Sequence, residues 1–210
     1  MTALLRCTDL AAHYGGRTIF TAASLSLGAG AYALQGANGS GKSTLLRLLA
    51  GARQPTRGTV LIAGTDLDLK AEAARLLLSY VPDESPVYPF MTGREFLQFV
   101  AAAKRTTLGR AVQGLVSDFV LQPHLDTRFD AMSLGTQKKL LLAAAWIGEP
   151  RVMLMDEPSN GLDQATRDIL AESLRATAST ATVLYATHDA DFIAATGASV
   201  ITMNQIVAPA

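Results

Sequence analysis

A single cysteine, Cys7, leaves the chain without a partner for an internal disulfide. Excess charge of one sign is also missing. Lysine and arginine number 18, aspartate and glutamate 18, and the formal net charge is +0. A strong polyanion binder needs a basic surplus to neutralise phosphates, so nucleic acid is not expected as a partner. Long hydrophobic runs are absent as well, although 49% of the residues are hydrophobic and mean hydropathy is +0.23. A membrane span takes about 20 consecutive apolar residues. The greasiest run, residues 140–147, is far shorter, and the charge-free stretch 18–41 is broken by glycines and by Ser24, Gln35 and Asn38. Work at a membrane would therefore need a separate membrane partner. The chain opens with Arg6 and Cys7 close behind Met1 rather than with a long apolar segment, which leads to the expectation of a cytosolic protein. Repeats, low-complexity tails and long linkers are lacking too. With 210 residues, one core and one unit over 1–210 is the expectation.

What is present alternates in period. Short β-like segments at 4–9, 19–20, 24–27, 31–35 and 60–62 are separated by glycine-containing turns. A helix is predicted at 42–50, closed by Gly51. Thr92 and Glu95 form a capping box ahead of Phe96, Phe99 and Val100, opening a helical region that includes 115–121 and 138–147. Strand-like runs return at 152–155, 182–186 and 200–203. This order predicts an α/β fold: a strand-helix core with an N-terminal β portion and a helical insertion at about 84–147.

Residues 36–43, Gly-Ala-Asn-Gly-Ser-Gly-Lys-Ser, fit the pattern G-x-x-x-x-G-K-S/T and fall between a predicted strand and a predicted helix. Gly36, Gly39 and Gly41 allow backbone N–H groups to turn inward around phosphate oxygens, with Asn38 and Ser40 on the same loop. The helix that follows, with Ser43 and Thr44 in its first turn, presents its positive end. Lys42 can reach the β and γ phosphates of a nucleotide, and the Ser43 hydroxyl can ligate Mg²⁺. Residues 152–157, Val-Met-Leu-Met-Asp-Glu, form an apolar strand ending in two carboxylates. Asp156 at its tip is suited to hold Mg²⁺, and Glu157 to orient and deprotonate an attacking water. His13 and His124 have no comparable context and read as structural or surface residues.

On these motifs together with four others, the chain resembles the nucleotide-binding subunit of ATP-binding cassette (ABC) transporters. Met132-Ser133-Leu134-Gly135-Thr136 stands where that family has its Leu-Ser-Gly-Gly-Gln signature; Ser133 and Gly135 are retained, while Leu134 and Thr136 depart from it. Pro158 to Asp163 is similar to the family's D-loop, in which Leu162 and Asp163 would set subunit contacts. His188 follows a predicted strand, at the place of the switch histidine that contacts the γ phosphate. Tyr14 resembles the aromatic residue whose ring stacks on adenine. After Tyr80-Val81-Pro82 the family has a glutamine, but here Asp83 and Glu84 follow, so a carboxylate replaces an amide near the metal. The segment 82–95 is similar to that of bacterial ABC-2 type exporter ATPases.

The resemblance, from Tyr14 to His188, implies a P-loop NTPase core with an antiparallel β subdomain and an inserted α-helical subdomain. It implies ATP and Mg²⁺ as cofactors, hydrolysis coupled to transport, and a head-to-tail dimer of two copies or of paralogues. In that dimer ATP lies between the phosphate loop of one subunit and the Ser133 segment of the other. It further implies integral membrane permease subunits as partners and a peripheral position at the cytoplasmic face of the membrane. A rival expectation is a soluble ABC-class ATPase acting on a partner outside the membrane.

Overall fold

The computed structural model describes residues 2–84 and 87–207, apart from the side chains of Tyr14 and Arg17. Two sheets organise it. The first is antiparallel, in the order β2-β1-β4-β5, from β1 (Leu5–Tyr14), β2 (Arg17–Leu27), β4 (Arg57–Ile62) and β5 (Thr65–Asp66). The second is parallel and five-stranded, in the order β6-β7-β8-β3-β9. Its strands are β3 (Gly30–Gln35), β6 (Leu78–Val81), β7 (Val152–Asp156), β8 (Thr182–Ala186) and β9 (Ser199–Thr202).

The parallel sheet separates two cores, and the two-residue period of its strands assigns side chains to each. Along β7, Val152 and Leu154 join the core shared with the antiparallel sheet and α1 (Lys42–Leu49), whereas Met153 and Met155 join the core of the helical layer. Along β8 the same alternation sends Leu184 and Ala186 one way, Val183 and Tyr185 the other. With both faces covered, these strands read as unbroken apolar runs. The helical layer holds α3 (Gly93–Ala103), α4 (Arg110–Asp118) and α5 (Leu134–Ala144), and its core includes Leu97, Val112, Leu115, Phe119, Leu140 and Trp146. Three further helices lie between strands, α2 (Ala71–Leu76), α6 (Gln164–Thr177) and α7 (Ala190–Thr196), and a short α8 (Met203–Ile206) follows β9.

Several predicted bounds shift, each for a local reason. β1 continues beyond residue 9 to Tyr14, because bulges between Cys7 and His13 break the alternation that marks a strand. Asp9 takes a positive φ of 50° there, and Gly58 of β4 packs so tightly beneath it that a Cβ would lie 2.5 Å from the Asp9 carbonyl oxygen. The segments predicted at 19–20 and 24–27 are one continuous strand, β2. α4 lies earlier than the predicted 115–121. α5 begins at Leu134 rather than 138, since the Ser133 hydroxyl accepts the Thr136 N–H at 3.1 Å and caps the helix. Met203 leaves β9 and opens α8. The capping box at Thr92 and Glu95 forms as predicted.

Candidate functional site

The loop after β3 turns into α1 through Gly39 and Gly41, with φ of +77° and +98°. Gly41 is the N-cap of α1, with no side-chain cap and no acidic residue in the first turn, so the helix presents unpaired N–H groups and a positive end. A Cβ at Gly41 would come 2.9 Å from Cγ2 of Ile19, so only glycine lets the loop lie this close to β2. Lys42 is buried, and its Nζ donates to the Gly36 carbonyl at 2.8 Å. The same ammonium stands 3.1 Å from His188 Nε2. Ser40 Oγ is shielded from solvent and has no hydrogen-bond partner among the described residues.

Two parallel strands bring the remaining groups to this loop. β7 delivers Asp156, 3% exposed, and the next residue, Glu157, holds a positive φ of 46° while its N–H donates to Ala186 of β8 at 3.0 Å. A non-glycine residue in the left-handed region is strained by about 1–3 kcal/mol, and such strain clusters at functional sites. His188 follows β8 and places Nε2 4.0 Å from Glu157 Oε1. Burial pushes the Glu157 carboxyl above its ordinary range; His188, the Thr187 hydroxyl and Lys42 oppose the shift and Asp156 adds to it.

These groups surround one cavity of about 520 Å³. Asn38, Gly39, Gly41, Lys42, Ser43 and Thr44 line it from the loop and helix, Asp156, Glu157 and His188 from the strand ends, and Asp83 and Glu84 from the segment after β6. Such an arrangement offers N–H donors and an ammonium to an anion, and carboxylate and hydroxyl oxygens to a cation.

Other predicted residues stand apart from the cavity. Ser133 spends its hydroxyl on the α5 cap and on Thr136 Oγ1, 2.9 Å away. Gly135 lines a neighbouring groove of about 440 Å³ with Asp83, Asn160 and Gly161. Leu134 between them is 82% exposed. Tyr14 ends β1 opposite Arg17, and the prediction for its ring lies outside the described residues. Asp163 is engaged within the chain: one oxygen caps α6 through the Thr166 N–H at 2.8 Å and the other pairs with Lys139 at 2.8 Å. These bonds hold its carboxyl well below the usual range, the Lys139 pairing foremost.

Two residues are absent from the sequence-based site. Arg47 of α1 also lines the cavity, one turn beyond Ser43. Lys138 of α5 reaches Asp83, with Nζ 3.5 Å from Oδ1 and 3.4 Å from the carbonyl oxygen. Its signal was a cation sharing a helix face with Leu141 and Ala145, which are buried.

A strand, a glycine loop, a helix N-terminus with lysine, and a carboxylate at the end of a second parallel strand, one strand removed in the same sheet, define the P-loop NTPase class. Within it, the sequence matches the ABC transporter family over residues 20–160, and the chain belongs to that family. It is 33% identical over 192 residues, 89% of its length, to Nod factor export ATP-binding protein I of Ralstonia nicotianae. The protein of that name from Bradyrhizobium diazoefficiens is 34% identical over 181 residues. The chain spans 60% and 59% of these two relatives. A solved ATP-binding subunit of an ABC transporter superposes with a TM-score of 0.88 at 27% identity, covering 95% of this chain and 85% of that one. The mixed α/β architecture is that of ABC nucleotide-binding domains.

Proposed function

We propose that the chain is the ATP-binding and ATP-hydrolysing subunit of an ABC exporter, driving transport by membrane partners. The observation that carries this reading is the convergence of Lys42, Ser43, Asp156, Glu157 and His188 on one cavity from three separate segments of the sequence. The cavity's chemistry fits ATP and Mg²⁺. The uncapped end of α1, the buried ammonium and the unpaired Ser40 hydroxyl suit phosphate oxygens. A sparse oxygen donor set suits Mg²⁺, which keeps several waters and takes phosphate oxygens as ligands.

In this reading the loop amides of residues 36–41, Lys42 and the first turn of α1, with Thr44, hold the β and γ phosphates. Ser43 and Asp156 hold Mg²⁺, with Asp83 as a further oxygen donor on the wall; the ion supplies charge neutralisation at the phosphates. Glu157 accepts a proton from the attacking water at a carboxylate oxygen, and its raised affinity for protons suits that role. His188 bridges Lys42 and Glu157 and orients the groups between them. Tyr14 would stack on adenine.

A second copy or a paralogue would close the cavity with the Ser133 and Gly135 segment of its own α5. Among the described residues, no helix is long and apolar enough to cross a membrane. Attachment at the cytoplasmic face would therefore run through permease subunits. Tyr88 and Phe90, stacked at 5.5 Å and each at least 60% exposed, offer them an apolar contact beside the Asp83 segment. The names of the relatives support export as the direction.

Light scattering of Glu157→Gln with and without Mg-ATP tests the reading. A stable nucleotide-dependent dimer is expected, because the uncleaved ligand stays between the subunits. A mutant that remains monomeric at saturating Mg-ATP would count against the shared site.

A further inference from the structure

Lys138 is a buried cation in a place where an apolar side chain would fit at lower cost. It stands one turn into α5, its side chain 9% exposed, on the face that carries Leu141 and Ala145 into the core. Its Nζ reaches both the carboxylate and the backbone carbonyl of Asp83, at 3.5 and 3.4 Å. Asp83 lies two residues beyond β6, where the chain leaves the parallel sheet for the helices. Its side chain lines the nucleotide cavity and the groove beneath Gly135 alike. Asp156 and Glu157 lie close enough to act on Lys138 as well.

A single contact to a carboxylate would leave the loop free to swivel. Contact with both the side chain and the main chain of one residue fixes its position and its orientation. We infer that Lys138 is a positioning residue for hydrolysis: it clamps Asp83, so that this edge of the cavity moves with α5 rather than with the parallel sheet. The inference rests on the ATPase reading above and adds a residue to it. Desolvating a lysine to hold a half-exposed aspartate adds little or nothing to stability, and replacing such pairs with apolar groups is often neutral or stabilising. The clamp therefore separates a positioning role from a structural one. Truncating the lysine to an apolar chain of similar length should spare the fold and damage the chemistry.

The experiment is a double-mutant cycle of Lys138→Met and Asp83→Asn, with Lys138→Arg as the conservative variant. Urea midpoints, ATP affinity, kcat, and hydrogen exchange of residues 81–84 in nucleotide-free protein are read for each. Lys138→Met is expected to keep its midpoint, bind ATP within about twofold of wild type, lower kcat by about tenfold, and raise exchange at 81–84. Asp83→Asn should likewise lower kcat and raise exchange at 81–84, the kcat of the double variant should be no worse than that of either single one, and Lys138→Arg should recover most of the loss. Losses that multiply in the double variant, or exchange at 81–84 equal to wild type in Lys138→Met, would overturn the clamp. If wild type itself shows no turnover, the ATPase reading has failed, while exchange in the nucleotide-free protein still decides the clamp. Should Lys138→Met not fold, Lys138→Gln takes its place in the cycle.

Discussion

Replacing Gly41 by alanine places a methyl group where the phosphate loop has no room for it. Two costs add. The backbone at Gly41 has φ +98°, outside the region that L-residues occupy without strain, at about 1–3 kcal/mol. The new Cβ would also lie 2.9 Å from Ile19 Cγ2 and 3.3 Å from Phe20 Cδ1, and Phe20 belongs to the core, so it cannot retreat into solvent. Overpacking of this kind costs about 1–3 kcal/mol more. Shared relaxation makes the sum smaller than its parts, so about 2–4 kcal/mol is expected, a shift of the urea midpoint by about 1–2 M. Gly39→Ala is the internal control: φ is +77°, but nothing lies within 4 Å of the added methyl, leaving only the backbone strain. Denaturation curves of the three proteins, read by the fluorescence of Trp146, give the comparison. Gly41→Ala must fall below Gly39→Ala, and ATP affinity should fall with it by at least tenfold. Equal midpoints for the two variants would refute the reasoning, since the contact with β2 would then have no cost.

Lys42→Ala removes a buried ammonium whose charge-assisted hydrogen bonds are each worth about 1.5–3 kcal/mol, so ATP should bind about tenfold to a hundredfold more weakly in calorimetry. Asp163→Ala uncaps α6 and should cost about 1 kcal/mol of stability at neutral pH. Because folding lowers the Asp163 pKa, that difference is complete above the ordinary value of 3.8 and shrinks as pH falls below it, which urea titrations across pH can follow. Lys104→Met takes a donor from the carbonyls of Arg75, Leu76 and Leu78, which tie α3 to the end of α2 and the start of β6; a loss of about 1–3 kcal/mol in thermal or urea unfolding is expected.

The parts of the site that the sequence made legible are those whose chemistry is local. Residues 36–43 need their glycines at fixed offsets because the backbone itself is the binding surface, and Asp156 is marked by an apolar strand that has water on neither face. The Thr92 capping box is equally local. The parts that stayed hidden depend on contacts between distant segments. The pairing of Lys138 with Asp83 joins positions 55 residues apart, and nothing in either neighbourhood announces the other. The second half of β1 was obscured by bulges, which scramble the alternation on which a strand is recognised. α6 is a different case: no helix is predicted after the D-loop motif, although Asp163 as N-cap and Leu170, Ala171 and Leu174 on one face are local signals of one. Asp163, to which the D-loop comparison gives a role between subunits, also bonds within the chain through both its oxygens, which that comparison did not announce.

In the proposed function one cavity binds ATP through the phosphate loop and cleaves it with Glu157 as base. Phosphate release and equilibrium ATP affinity, measured side by side for wild type and Glu157→Gln in Mg²⁺, address it most directly. Turnover by wild type is expected, and for Glu157→Gln an affinity within a few-fold of wild type with turnover reduced by at least about a hundredfold. Turnover by Glu157→Gln at the wild-type rate would contradict it.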